Sequence, residues 1–394
     1  MRDARSARLE RWALQAAARE LLPTERVSYC LRRVIPNPDG GEAGVGVWYS
    51  ESVKRAHFKG LMTCGSVWQC PICAAKVTER RRVELTEAIE RATGLRAVLV
   101  TFTLHHDRRD DLGALLADLL ESYRAFQGGR AWVQLVQSFG FVGSVRALEV
   151  THWINGWHPH LHVLMFFREG ADLSGLADAL ADRWLSSLAK QGRTADREHG
   201  LQVSDRKGDV ARYVAKFGHN PSPNHWTVEH ELVKSPAKMG AGEHKTPMQL
   251  LRDYLHGNKR AGYLFKEYAQ VFKGRHQLQW SRGLRALLGL TKEASDQELA
   301  ERAEQDAALL AMLSLKQWRI ILAHDARGEV LEVAHSGDVG KLRAFVDDLT
   351  GDLSLPVRAS RSICDETRLG EVVNLEKVRG RRIERNEFFA SLGV

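Results

Sequence analysis

Residues 145–167 read VRALEVTHWINGWHPHLHVLMFF, and this stretch decides the fold. Two runs that alternate like strands, 145–153 and 158–167, flank the tetrapeptide Ile-Asn-Gly-Trp at 154–157. An Asn-Gly pair between alternating runs is a strong hairpin signal, because both central residues of the favoured tight turn take positive φ. The segment therefore predicts two antiparallel strands joined by a two-residue turn.

Three histidines, His158, His160 and His162, alternate along the second of these runs. Because successive side chains of a strand point to opposite faces, the three imidazoles share one face. Two imidazoles placed two residues apart can converge on a single cation, so we predict that His160 and His162 bind a metal ion. A polar outer face of an exposed hairpin is the alternative interpretation of the same pattern.

The register of the hairpin adds a third ligand. If the Asn-Gly pair forms the loop, Glu149 lies directly opposite His162 and close to His160. Opposed residues of an antiparallel pair have Cβ atoms about 5 Å apart on the same face. Glu149 is therefore the predicted third ligand, and His158 is the second choice. A slip of one residue in the register would move Glu149 off this partner.

A polar stripe with a phenol at its centre lies in residues 204–220, SDRKGDVARYVAKFGHN, for which we predict a helix at about 206–217. Asp209, Tyr213 and Lys216 are spaced so that they line one side of this helix. A phenol with a pKa of about 10 is a poor nucleophile, but it attacks phosphorus when a cation polarises the phosphate. We expect Tyr213 to be the nucleophile and Lys216 to position it or to stabilise charge on the phosphate. We expect Asp209 to activate a water or a DNA 3′-hydroxyl in a second step.

A cysteine cluster precedes these elements. Cys64, Cys70 and Cys73 include a Cys-x-x-Cys knuckle, which places two thiolates on one side of a tight turn, as tetrahedral Zn²⁺ requires. Three thiolates leave one ligand position open. His57, seven residues before Cys64, is the first choice for it, and Cys30 is the second. Reduced thiols without a metal are the alternative interpretation.

Composition describes an ordinary globular chain with a basic balance. Hydrophobic residues make up 44% and charged residues 27% of the 394 residues, with 57 Lys and Arg against 49 Asp and Glu. Excess positive charge favours a polyanionic partner. The sequence contains neither a run of roughly 18 apolar residues nor a secretory signal, so we expect a cytoplasmic protein. Five cysteines in such a chain favour metal binding over a disulfide scaffold.

The motifs also carry a family resemblance. The strand run 100–104, the His-Pro-His-Leu-His segment 158–162 and the Tyr-Val-Ala-Lys segment 213–216 occur in the order seen in HUH endonucleases. More narrowly, the chain resembles the single-tyrosine initiators of rolling-circle plasmid replication over roughly residues 57–225. Related initiators carry a similar cysteine-rich segment before the strand motif, and the resemblance implies that this segment is structural.

The resemblance implies an α+β fold with a central antiparallel sheet flanked by helices and a divalent Mg²⁺ or Mn²⁺ in the site. It implies nicking at the plasmid's double-strand origin, with the 5′ end of the DNA held on Tyr213. The family usually has Glu four residues before the tyrosine, where it assists termination. Here that residue is Asp209, one methylene shorter. Host helicase and polymerase are the further partners that we expect. We expect no association with a membrane.

Pattern changes along the chain predict five segments. They are a basic N-terminal segment (1–56), a Cys-rich zinc-binding element and helix (57–92), a nicking and joining domain (93–225), a mixed extension (226–290) and a small C-terminal α/β domain (291–394). Within the last segment, residues 294–350 predict a helix, two short strands around Gly328 and another helix.

Two rival functions fit the same motifs. A relaxase or a single-strand DNA transposase would use the same chemistry on a transfer origin or an element end. A zinc-dependent DNA-binding regulator would use the basic surface without catalysis. The regulator predicts that Tyr213→Phe leaves every activity intact, whereas the enzymes predict loss of nicking with binding retained.

Overall fold

A computed structural model describes residues 4–36, 44–204, 210 and 244–351. The described residues of 1–33 and 62–303 form one compact unit, and those of 34–61 and 304–394 form a second. No described helix is both long enough and apolar enough to cross a membrane.

The strands among the described residues, in chain order, are β1 (Val45–Ser50), β2 (Arg55–Lys59), β3 (Leu95–Phe102), β4 (Phe141–Trp153), β5 (Gly156–Arg168), β6 (Leu201–Ser204), β7 (Leu278–Trp280) and β8 (Ala308–Leu313). The described helices are α1 (Ala4–Leu21), α2 (Pro71–Arg91), α3 (Leu112–Phe126), α4 (Gly129–Ser138), α5 (Leu176–Ala189), α6 (Arg197–Gly200), α7 (Pro247–Leu255), α8 (Lys259–Val271), α9 (Leu284–Leu287), α10 (Asp296–Glu301), α11 (Leu315–Ala323), α12 (Arg327–Ala334) and α13 (Val339–Gly351). A short 3-10 turn covers Arg26–Tyr29.

The first unit is built on a five-stranded sheet in the order β6-β3-β5-β4-β7, with every neighbouring pair antiparallel. Apolar side chains of alternate residues on β3 and β5 pack under α3 and α5. At their centre the ring of Phe102 lies 5.0 Å from Phe126 and 5.1 Å from Trp184. The predicted α+β class, an antiparallel sheet flanked by helices, is confirmed.

The other face of this sheet is half apolar and half polar. Its apolar half packs against α2 and α9 in a core formed by Leu85, Ala88, Val145, Ala147, Leu164, Phe166, Val210, Leu278, Leu284 and Leu288. Along β4 and β5 the same face then turns polar at Glu149, His160 and His162. The polar half therefore continues directly from a packed core, which gives its side chains rigid strand positions.

The hairpin forms as predicted, but its register differs by two residues. Trp153 pairs with Gly156, so the loop residues are Ile154 and Asn155, and Glu149 lies opposite His160. Gly156 has φ 89°, whereas Asn155 does not take positive φ. The turn therefore needs one left-handed residue instead of two and closes one position earlier. Because the shift is an even number of residues, Glu149 stays on the histidine face.

The second unit has a three-stranded sheet in the order β2-β1-β8 and the helices α11, α12 and α13. Phe58 and Trp318 meet in its core at 5.1 Å, edge to face. The predicted boundaries differ from this division, because residues 34–61 join the C-terminal part of the chain. The strands predicted around Gly328 are wrong: residues Arg327–Ala334 form a helix.

Candidate functional site

The polar half of the sheet brings Glu149, His160 and His162 together. The ligand atoms of these three residues lie within 4.8 Å of one another. Glu149 Oε2 is 3.5 Å from Nε2 of both imidazoles. The histidine side chains are 12% and 19% exposed, and Glu149 is 38% exposed. One carboxylate and two imidazoles thus converge on one point that solvent and substrate can reach.

Hydrogen bonds at the far side of each ring hold the two imidazoles in this orientation. His160 Nδ1 lies 3.1 Å from the carbonyl oxygen of His158. A carbonyl only accepts, so Nδ1 carries the proton and Nε2 keeps its lone pair. His162 Nδ1 lies 2.9 Å from Thr101 Oγ1 on β3. Partners of this kind orient metal-binding histidines in many proteins, so both rings are prepared to bind a cation through Nε2.

Electrostatics favour the ligand forms of these side chains. Burial raises the pKa of Glu149, but the facing imidazoles of His160 and His162 outweigh it and hold the pKa well below the usual range. For His158, burial and the neighbouring imidazoles lower the pKa to about 3. Glu149 is therefore an anion and His158 a neutral ring at neutral pH. Both states suit a site that binds a cation.

His158, the second choice for the third ligand, points to a different partner. Its ring stacks on His106 with centroids 4.8 Å apart and an angle of 11° between the planes. Among the described residues, the metal-binding group contains Glu149, His160 and His162 without His158. The geometry therefore favours Glu149 for that role.

Two residues near the site were missed by the sequence analysis. Thr101 could have been identified from the sequence, because alternation along β3 places it on the histidine face. His244 could not have been identified in this way. It lies beside the hairpin because Lys245 forms a β-bridge with His152, and no local sequence pattern predicts that bridge. Its ring packs 4.6 Å from Trp153.

The predicted tyrosine helix lies mostly beyond the residues that the structure describes. Asp209, Tyr213 and Lys216 all fall outside them. Val210 is described: it is helical, 5% exposed, and packs in the apolar core beside the metal-binding group. In that core Ala147 and Leu164 are each two residues along their strands from Glu149 and His162.

The two tryptophans beside the hairpin turn have different environments. Trp157 is buried and donates its indole N–H to Glu267 at 3.0 Å, so it covers the sheet. Trp153 is half-buried against His244.

A second group of metal-binding side chains consists of four cysteines. Cys30 follows the 3-10 turn, Cys64 lies in the loop before α2, Cys70 caps α2 and Cys73 lies in its first turn. The Sγ atoms of Cys30 and Cys64 are each 3.6 Å from Cys73 Sγ, and Cys70 Sγ is 3.8 Å from Cys30 Sγ. Sulfur atoms about 2.3 Å from a tetrahedral zinc lie about 3.8 Å apart. Donor type and spacing therefore fit Zn²⁺.

The surroundings of these sulfurs favour a thiolate at Cys70. The backbone N–H of Cys64 donates to Cys30 Sγ, and the Gln15 amide donates to Cys70 Sγ. Burial raises the pKa of Cys70, but hydrogen bonds from the neighbouring thiols outweigh it and lower the pKa well below the usual range. Hydrogen bonds with the same thiols, Cys30 first, and burial raise the pKa of Cys64. Cys70 is therefore favoured in the thiolate form, which is the form that binds a metal.

Among the described residues, Cys30, the second choice for the fourth zinc ligand, groups with Cys64, Cys70 and Cys73, whereas His57, the first choice, is not in this group. His57 lies on β2 in the second unit, where it pairs with Trp48. Backbone hydrogen bonds of 2.7 and 2.9 Å join residues 31–33 to Met62 and bring Cys30 beside Cys64. The two cysteines are 34 positions apart in the chain, and local spacing cannot reveal the loop closure that brings them together.

Residues 57–172 match a protein family described as "Replication protein". "Protein rep" of Streptomyces lividans is 29% identical over 323 residues, covering 64% of this chain and 70% of the relative. A "Neomycin resistance protein" of Streptomyces cyanogenus is 32% identical over 134 residues, covering 27% of this chain and 30% of that protein. No solved structure matches the chain. The family match and the Streptomyces lividans relative together show that this chain is similar to replication proteins.

Proposed function

We propose that this protein starts plasmid replication by nicking one DNA strand at the origin through Tyr213, and that it rejoins the ends at termination. The observation that carries the proposal is the convergence of Glu149, His160 and His162 on one point, with both Nδ1 atoms engaged elsewhere. A merely polar sheet surface does not require such an arrangement.

The three side chains bind a divalent cation in this proposal. A bound cation would act as a Lewis acid on a phosphate oxygen. Two imidazole nitrogens suit Mn²⁺ better than Mg²⁺, which prefers oxygen ligands, although availability also decides which ion binds. The negative charge of Glu149 and the fixed lone pair of His160 Nε2 favour cation binding before DNA arrives.

Strand transfer then needs a nucleophile and a proton acceptor. The Tyr213 oxygen attacks phosphorus and loses its proton to water, while the P–O3′ bond breaks and the departing oxygen takes a proton from water to become a 3′-hydroxyl. Rejoining reverses these bonds: a 3′-hydroxyl attacks the phosphotyrosine as Asp209 accepts its proton. Lys216 stabilises charge on the phosphate or positions Tyr213.

Chain connectivity supports this assignment of Tyr213. Three residues span at most about 11 Å, so the Tyr213 backbone lies within that distance of Val210. Val210 packs with Ala147 and Leu164, each two residues along a strand from a proposed metal ligand. Residues two apart on a strand are separated by about 7 Å. The chain length from Val210 is therefore compatible with a nucleophile at position 213 beside the proposed metal ligands.

We assign a structural Zn²⁺ to Cys30, Cys64, Cys70 and Cys73. DNA is the proposed substrate and partner. The protein would recognise the origin by contacts to phosphates and base edges. Host helicase and polymerase would act on the nicked plasmid that the protein produces.

The test is a cleavage assay on labelled single-stranded segments of the replicon that carries the gene. With Mn²⁺ we expect a covalent protein–DNA adduct that mass spectrometry maps to Tyr213. EDTA and Tyr213→Phe should each remove it. Tyr263→Phe is the matched control, because Tyr263 is 71% exposed on α8.

Intact DNA across all segments, from a folded and metal-loaded preparation that binds DNA, would contradict the nicking proposal. An adduct that survives in Tyr213→Phe would contradict the assignment of the nucleophile alone.

A further inference from the structure

A cleft of about 480 Å³ opens beside the metal-binding group. His160 and His162 form part of its lining, and it extends along the sheet toward the end of β3 and the segment 194–202. Small-molecule sites of proteins measure about 300–1,000 Å³, so the cleft has room for one nucleotide but not for a duplex. A strand whose phosphate lies beside His160 and His162 would leave its neighbouring nucleoside at the mouth of this cleft.

The far wall of the cleft is held in place before any ligand binds. The backbone N–H of His105 donates to the Thr194 carbonyl at 2.8 Å, and His105 Nε2 lies 2.9 Å from Asp196. Thr103 adds a backbone hydrogen bond to Gly200 at 2.9 Å.

The segment leading into this wall is fixed as well. Arg193 is paired with Asp118 at 2.8 Å and with Asp110 at 3.0 Å. A preformed wall costs little ordering on binding, as expected for a specific subsite.

The lining offers what a nucleobase needs. The parallel rings of His106 and His158 provide a flat surface on one side. Gln202 lines the cleft with an exposed side-chain amide, which can both donate and accept hydrogen bonds. Asp196 is the only carboxylate among the lining residues the structure describes, and His105 pairs with it, so the cleft does not repel a nucleotide.

We propose that this cleft binds one unpaired nucleobase of the cleaved strand, stacked on the His106 ring, which itself packs face to face on His158, and contacted at its edge by Gln202. The inference rests on the proposed function, because the strand must pass Glu149 for a neighbouring base to enter. It adds a recognition subsite to the nicking site: the base next to the scissile phosphate is taken out of its stack and held.

Binding in EDTA tests the subsite separately from nicking. The probes are fluorescein-labelled dT12 and an abasic 12-mer with the same phosphates, compared by anisotropy at low salt. Stacking of one base on an aromatic ring changes affinity by about 5- to 100-fold. We expect the wild type to prefer dT12 over the abasic strand by a factor in this range. His106→Ala should lose most of that preference, and His106→Phe should keep it because the ring remains.

Location is tested by photocrosslinking of dT12 that carries one 5-iodouracil. We expect crosslinks in the tryptic peptides 97–108 or 198–206, which contain His106 and Gln202. Crosslinks confined to other peptides would overturn the proposal, as would a base preference that His106→Ala leaves unchanged in a folded protein. Failure to bind any strand would overturn it too.

The two proposals fail in different ways. A His106-dependent base preference without any Tyr213 adduct would leave the subsite standing and remove the nicking function. A Tyr213 adduct with a base preference independent of His106 would support the nicking function and remove the subsite.

Discussion

The contact between Thr101 and His162 allows one prediction to be worked out in detail. Thr101→Val removes the hydroxyl that lies 2.9 Å from His162 Nδ1 and keeps the β-branched shape of the side chain. The backbone pairing of the two residues on β3 and β5 does not depend on the side chain. The variant should therefore fold normally while His162 loses the partner that orients its ring.

Two estimates bound the size of the effect on cation binding. A neutral hydrogen bond contributes about 0.5–1.5 kcal/mol net, which corresponds to about a 2- to 12-fold change in affinity. Loss of a group that orients a metal-binding histidine typically costs about 10- to 100-fold. The estimates overlap near tenfold. We expect Thr101→Val to weaken Mn²⁺ binding by about tenfold, or about 1.4 kcal/mol.

Isothermal titration and Mn²⁺ electron paramagnetic resonance measure this affinity without any DNA. Thr101→Ser restores the hydroxyl and should recover most of the binding, and His162→Ala shows the effect of losing the ligand itself. The reasoning is refuted if Thr101→Val binds Mn²⁺ like the wild type while His162→Ala does not. It is also refuted if Thr101→Ser is as weak as Thr101→Val.

Three further predictions concern the zinc cluster, the pH range and the hairpin turn. Cys30→Ala should lower the melting temperature and the amount of bound zinc, which elemental analysis measures. His57→Ala should leave the bound zinc unchanged; the opposite pattern would favour His57 as the ligand. Because the pKa of His158 is lowered to about 3 in the fold, the unfolded chain binds more protons at this position between about pH 6.5 and 3. The contribution of His158 to stability is therefore present above about pH 6.5 and lost as pH falls through that window, so His158→Phe should unfold in urea with a shallower acid dependence than the wild type. Gly156→Ala should destabilise the fold by about 1–3 kcal/mol, because φ is 89° and the new Cβ would lie 2.8 Å from Arg108 Cα; an unchanged urea midpoint would argue against this turn geometry.

Local patterns predicted the parts of the site that depend on local geometry. Alternation along β5 placed His160 and His162 on one face, and the Asn-Gly signal gave the hairpin. The register itself was off by two residues, because it depends on how many residues of the turn take positive φ. Glu149 was still identified, since an even shift keeps a residue on its face.

Features that join distant segments escaped prediction. Cys30 meets Cys64 only because backbone pairing closes the intervening loop, and spacing alone favoured the nearer His57. The helix around Gly328 was taken for strands because Val330 and Val333 favour strands, yet both are buried in the helical packing of the second unit. β7 completes the sheet through a three-residue strand that is too short to carry a pattern.

The sheet of the second unit has a consequence for biosynthesis. β1 leaves the ribosome early, but its neighbour β8 follows only after about 260 further residues. At about 5–20 residues per second, translation takes about 13–50 s to supply that partner. The β1–β2 hairpin is not stable by itself in water, so during this time it presents open backbone hydrogen-bonding groups. The nascent chain is therefore most prone to aggregation before residue 313 emerges, and its yield depends on the chaperones that protect it until then.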